Sequence, residues 1–266
     1  MKKLLSLLLV AAMGLSLVGC GGSDNGSKSE SKSDLEYVKE KGTLVVGITD
    51  FAPMDYKDKD GNWVGFDADM AKKFAKSLGV KVKFVEIDWD NKVMELKSKT
   101  IDCVWNGMTL TDEVKSAMEC TKPYCNNAQV VVVPKDVADK YKDEKSLKKL
   151  NFVCEAGSAG EEVLKEKEYN YTPVKAQSDT LMEVSSGTAD AAVIDSLMAA
   201  AMVGEGTSYK NLTYTVGLND EEYGVGFRKG SELASKLNDF LNEKDADGTI
   251  KKIAKKYGVE AALIEQ

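Results

Sequence analysis

The chain of 266 residues carries 36 Lys+Arg against 43 Asp+Glu, a net charge of −7 and no histidine. An acidic balance of this size argues against a nucleic-acid partner and against a polybasic footprint on a membrane. Without histidine the commonest general base and metal ligand are missing, and Arg228 is the one guanidinium available for a bidentate grip on a carboxylate. No catalytic residue, metal or cofactor is expected.

The chain opens with Lys2 and Lys3, followed by an apolar run over residues 4–18 that is short for a membrane span. It ends in Leu17, Val18, Gly19 and Cys20. A cysteine directly after Val-Gly is the lipobox of bacterial lipoproteins. Residues 1–19 are therefore expected to be a cleaved signal peptide, and the Cys20 thiol to carry the lipid, palmitate included, that anchors the chain to the membrane. A plain secretory signal with an incidental cysteine is the alternative. Residues 20–34 are rich in Gly, Ser and charge and hold no large apolar side chain, so they are expected to be a flexible tether. Cleavage removes the two charges of Lys2 and Lys3 and takes −7 to −9. About 230 residues remain, enough for one large or two medium domains. Among them Cys103, Cys120, Cys125 and Cys154 match no zinc spacing; Cys120 and Cys125 are the nearest pair, and a disulfide or free thiols both remain open.

Along this body, residues 35–41 read as a helix and 43–48 (TLVVGI) as a buried strand, β-branched and bounded by glycine. Residues 51–54 form a turn and 58–62 (DKDGN) a hairpin tip. A helix over 66–78, a strand over 80–87, a helix over 92–99 and a strand over 101–105 follow. This β-α-β-α-β rhythm predicts a parallel, doubly wound sheet. A second rhythm runs through strands at 129–134, 151–155, 172–175 and 189–194 and helices at 146–150, 161–167 and 180–186, with Asp195 ending the last strand before a helix to 203. A strand at 222–228 and helices at 231–241 and 249–257 close the chain. Two α/β units predict two lobes, 35–125 with 223–266 and 126–222, crossed near 125–129 and 219–223. Sheets of this kind bind ligands at the carboxyl ends of their strands, so two facing edges make a cleft that closes by hinge motion.

Gly42 to Gly47 (GTLVVG), Gly65-Phe66-Asp67, Gly107 to Glu113 (GMTLTDE), Lys122-Pro123-Tyr124 and a late strand ending in Asp195 occur in that order. Taken together they resemble the periplasmic-type (family 3) amino-acid-binding proteins of ABC importers, over essentially the whole body. The resemblance implies a two-lobed periplasmic-binding-protein-like fold. It implies a monomer that takes an amino-acid-like solute outside the membrane and presents it to an ABC permease. Transferred to this chain, the site comprises Phe51 as an aromatic wall, Asn106, Gly107 and Thr109 at a strand end, and Glu155 where relatives meet the ligand side chain. Ser158 lies on the second-lobe turn, and Asp195 takes the α-ammonium; a helix N-cap is the plainer role for Asp195. Asp50, Trp89 and Trp105 complete the expected wall, although each tryptophan is more readily explained as core.

One departure matters. Where the family places an arginine that grips the ligand carboxylate, this chain has Val114. The adjacent Lys115 is turned about a quarter of the way round a helix, and Arg228 is expected to face solvent. Backbone N–H groups around Gly157, Ser158 and Ala159 are left to cradle an anion. Two solutes stay open: a cationic or carboxylate-free amine, favoured by Asp50, Glu155 and Asp195, or a neutral amino acid held by Ser158, Thr111 and backbone amides. Enzymes of this fold, the cyclohexadienyl dehydratases, need a positioned acid and an anion handle, which this sequence supplies poorly. A ligand-sensing module for a membrane receptor is the other alternative.

Overall fold

The computed structural model describes residues 32–266. The expected signal peptide, Cys20 and most of the expected tether lie outside them. Helix α1 (Asp34–Lys41) starts earlier than its apolar pattern, because Ser33 caps it. The Ser33 hydroxyl accepts from the Glu36 N–H, and the Glu36 carboxylate accepts from the Ser33 N–H. Asp34 is held in turn by Arg228 at 2.9 Å.

Arg228 does not face solvent as expected. Its side chain is 11% exposed, lies between Asp34 and the fully buried Asp102, and donates to the carbonyl oxygens of Leu96 and Ile101. Lys41 reaches Asp102 as well, at 2.6 Å. A carboxylate at zero exposure needs such cations, since an unpaired buried charge costs several kcal/mol. The one arginine is thus committed to fastening α1 to the core.

After α1 come β1 (Thr43–Ile48), a hairpin of β2 (Tyr56–Lys57) and β3 (Trp63–Val64), α2 (Phe66–Ser77), β4 (Lys81–Glu86), α3 (Lys92–Lys97), β5 (Cys103–Thr109), α4 (Asp112–Ala117), β6 (Glu119–Cys120) and β7 (Cys125–Asn127). The second lobe holds β8 (Gln129–Pro134), α5 (Glu144–Leu147), β9 (Asn151–Glu155), α6 (Ala159–Glu166), β10 (Asn170–Val174), α7 (Gln177–Ser186), β11 (Ala191–Asp195), α8 (Ser196–Met202) and β12 (Leu212–Gly217). Then β13 (Glu221–Phe227) rejoins the first sheet, and α9 (Leu233–Ala246) and α10 (Thr249–Tyr257) pack against that lobe.

The first sheet has the order β4-β1-β5-β13-β6, with β7 also on β13; the second has the order β10-β9-β11-β8-β12. Neither is wholly parallel. Strands β4, β1 and β5 run parallel, as do β10, β9 and β11, whereas β13 and β8 run against their neighbours. The antiparallel strands are those that carry the chain between sheets. The β7–β8 and β12–β13 connections lie side by side, with Asn127 paired to Glu221. Buried β-branched strands form the centre of each lobe: Val45, Val46 and Ile48 in one, Val130 to Val133 in the other. Phe66, Met70 and Phe74, spaced at helical intervals, seat α2 on the first sheet. Cys103, Cys120, Cys125 and Cys154 are all free, so Cys120 and Cys125 are not bridged.

Candidate functional site

The carboxyl ends of β5, β9 and β11, with the turns after β1 and β4, enclose a cavity of about 280 Å3 between the two sheets. On the first lobe Asn106 ties two of these segments together. Its Oδ1 accepts from the backbone N–H of Thr49 at 2.9 Å and from its hydroxyl at 2.7 Å, while its Nδ2 donates to Asp55. Gly107 has φ +54°, and a Cβ there would stand 2.5 Å from the Phe51 ring, so only glycine admits the aromatic wall this close. Phe51 is fixed from behind by an edge-on contact with Tyr223. Thr109 donates its hydroxyl to Glu221. Thr111 caps α4 by accepting from the Val114 N–H, which turns the Val114 side chain into the cavity and leaves Lys115 exposed.

On the second lobe Glu155 ends β9 and Asp195 ends β11, both buried. Asp195 makes no capping bond to α8. Its carboxylate accepts instead from Tyr223 at 2.7 Å and Gln129 at 3.1 Å, and also from Asn127 and Gln177. Burial, with Glu221 nearby, pushes it up to about 7. Glu155 accepts one weak bond, from the Gln177 N–H at 3.3 Å. Burial and then the Asp195 charge push it up to about 8. Of the turn's N–H groups, that of Gly157 is taken by the Glu161 carboxylate at 2.6 Å and that of Ser158 by Glu155 O, which leaves that of Ala159 at the start of α6.

Eight of the expected wall residues therefore line one cavity together with Trp89, namely Phe51, Asn106, Gly107, Thr109, Val114, Glu155, Ser158 and Asp195. Two do not. Trp105 is 1% exposed and packs against Phe74 on the opposite, core-facing side of β5, and Asp50 is exposed outside the cavity. Sequence reasoning missed Lys92, Gln177 and the acidic residues of the rim. One lysine among so many carries no distinguishing signal, and Gln177 becomes visible only when the start of α7 is placed against β11. In all, Asp90, Glu113, Glu155, Glu161, Glu162 and Asp195 line the cavity against Lys92 and Lys165.

The lobes touch around this cavity. Lys92 on the first lobe donates to Gly157 O on the second at 2.7 Å, Lys175 pairs with Asp88 at 2.8 Å, and a Cβ on Gly157 would lie 2.6 Å from the Asp90 Cα. This is a closed cleft.

Residues 44–260 match the family model of bacterial extracellular solute-binding proteins, family 3. The chain belongs to this family. Among curated relatives, the arginine-binding extracellular protein ArtP of Bacillus subtilis is 33% identical over 264 residues, 97% of this chain and 98% of that one. The L-cystine-binding protein TcyJ of Escherichia coli is 31% identical over 84% of this chain and 85% of its own. Among solved structures, a variant of the T. maritima protein ArgBP superposes with a TM-score of 0.78 at 31% identity, covering 85% of this chain and 99% of that one. The ancestral amino-acid-binding protein AncCDT-1, described as a precursor of cyclohexadienyl dehydratase, gives 0.77 at 35% identity over the same shares. The family fold is thus two-lobed, as the motif order implies.

Proposed function

We propose that this family 3 protein binds a cationic amino acid of the arginine or lysine class outside the cytoplasmic membrane and hands it to an ABC importer, with Cys20 as its lipid anchor. The observation that carries the ligand class is the cavity lining, six carboxylates against two lysines. The names of its relatives, arginine-binding among them, agree with that charge. Binding rather than turnover fits a site in which Asp195 is held in place by amide and phenol donors, most of them on one of its oxygens. In this reading the ligand ammonium sits at Asp195, its cationic side chain lies by Glu155, and Phe51 covers it. A thermal-shift panel of L-arginine, L-lysine, L-histidine, L-glutamine and L-glutamate tests it, since saturating ligand stabilises by RT ln(1 + [L]/Kd). Arginine or lysine should give the largest shift. A larger shift with glutamate or glutamine would overturn the ligand class.

Closure transmits the occupancy. Ligand that touches both lobes binds the closed form better and shifts the population toward it. Gly157→Ala places a methyl against the backbone of Asp90 and forces alanine to a φ of +69°. It should weaken L-arginine binding by about tenfold or more. Small-angle scattering of that variant with saturating L-arginine should show less compaction than the parent; equal compaction at equal affinity would contradict the closed contact.

A further inference from the structure

We infer that Lys92 is the carboxylate anchor of this site, the counterpart of the guanidinium that Val114 leaves absent. The inference rests on the reading that the cleft takes an amino acid, but not on which one.

Lys92 is the first residue of α3 and is 8% exposed, yet it lines the same cavity as Asp195 and Glu155. An ammonium has three donors and no acceptor. Two are used, weakly on Trp89 O at 3.3 Å and well on Gly157 O at 2.7 Å. The Trp89 ring lies 5.0 Å from the nitrogen. Among the described residues no ion pair forms to it and its third donor meets no acceptor. Glu155, Glu113, Asp90 and Glu162 act on Lys92 from beyond ion-pair distance, so its charge is partly balanced while its third donor is left for an anion that enters the cavity. The other lysine of the lining, Lys165, is exposed on α6.

Most of the alternative anion holders are occupied. The turn N–H groups of Gly157 and Ser158 bond to Glu161 and Glu155, and Arg228 is spent on Asp34 and Asp102. A zwitterion entering the cavity therefore meets the Asp195 carboxylate for its ammonium and, for its carboxylate, the unused donor of the buried Lys92 ammonium, beside the unpartnered Ala159 N–H at the start of α6. Since Lys92 also reaches Gly157 across the cleft, the ligand carboxylate adds to a contact that exists only when the lobes are closed.

The test compares each amino acid with its own α-amide, which keeps size and ammonium and removes the carboxylate charge. L-Arginine and L-argininamide, and L-glutamine and L-glutamine α-amide, are titrated into the parent, Lys92→Met and Lys92→Arg proteins. The parent should prefer the better-binding acid over its amide by about tenfold or more, as a charged hydrogen bond in a buried site requires. Lys92→Met should lose that preference while still binding the amide, and Lys92→Arg should restore it. Equal losses for acid and amide in Lys92→Met would make Lys92 a latch only and overturn the inference, as would a preference that survives the substitution. If glutamine binds and arginine does not, the cationic reading fails while the anchor is still judged on the glutamine pair. If neither acid binds the parent, both fail.

Discussion

Replacement of Asp195 by asparagine is expected to cost about a hundredfold in affinity for L-arginine, roughly 3 kcal/mol, the scale of a desolvated charge pair that loses one partner. The exchange keeps the shape of the side chain, so the protein should stay folded with a changed melting temperature of a few degrees at most. Two effects on stability oppose each other. The substitution removes a buried charge that Glu221 repels, and it turns one acceptor of a four-donor cluster into a donor facing Gln177. Calorimetry for binding and a thermal melt for folding separate the two. A variant that binds arginine within a few-fold of the parent would show that the ammonium does not sit at β11.

The second large effect is on pH. Glu155 is lifted from 4.5 to about 8, first by burial and then by Asp195, and Asp195 from 3.8 to about 7, by burial and Glu221. The groups facing them are Lys92, Asp179 and the Gln177 backbone for Glu155, and Tyr223, Gln177, Asn127 and Gln129 for Asp195. In both cases the folded value lies above the unfolded one. Between these values the native state keeps protons that the unfolded chain has already released. Stability of the ligand-free protein is therefore greatest below about pH 3.8 as far as these groups are concerned, and falls as pH rises toward about 8. A bound cation reverses the bias by favouring the ionised carboxylates. Affinity for arginine should therefore rise about tenfold or more between about pH 6 and about pH 8.5, with protons released on binding. Titrations in buffers of different ionisation enthalpy count those protons. A flat or falling affinity over this range would show that neither carboxylate faces the ligand charge.

Much of this was legible from residue order alone. The strands 43–48, 129–134 and 151–155 fall where their β-branched runs place them, because buried central strands leave little latitude. Strand β5 runs further than its apolar start suggests, since in its second half Asn106, Gly107 and Thr109 break the apolar pattern and line the cleft. Strand β12 was not seen at all; it is an edge strand with one buried side chain, Leu212, and its pattern is weak. Helix α4 carries Val114 and Lys115 as the quarter-turn argument assumed, and Thr111 caps it. In the site, positions at strand ends were readable because topology fixes them. Trp105 and Arg228 were misplaced, since the side a residue takes on β5, or just after β13, depends on packing with α2 and α1. Lys92 was invisible because its role comes from the opposing lobe.

The central claim is that this cleft selects a cationic amino acid despite lacking the usual arginine. Calorimetric titration of the protein at about pH 8 with L-arginine and, separately, with L-glutamate tests it most directly. The account predicts saturable binding of arginine at micromolar concentration or below, with no measurable heat of binding for glutamate. Tight binding of glutamate, or none of arginine, would contradict it.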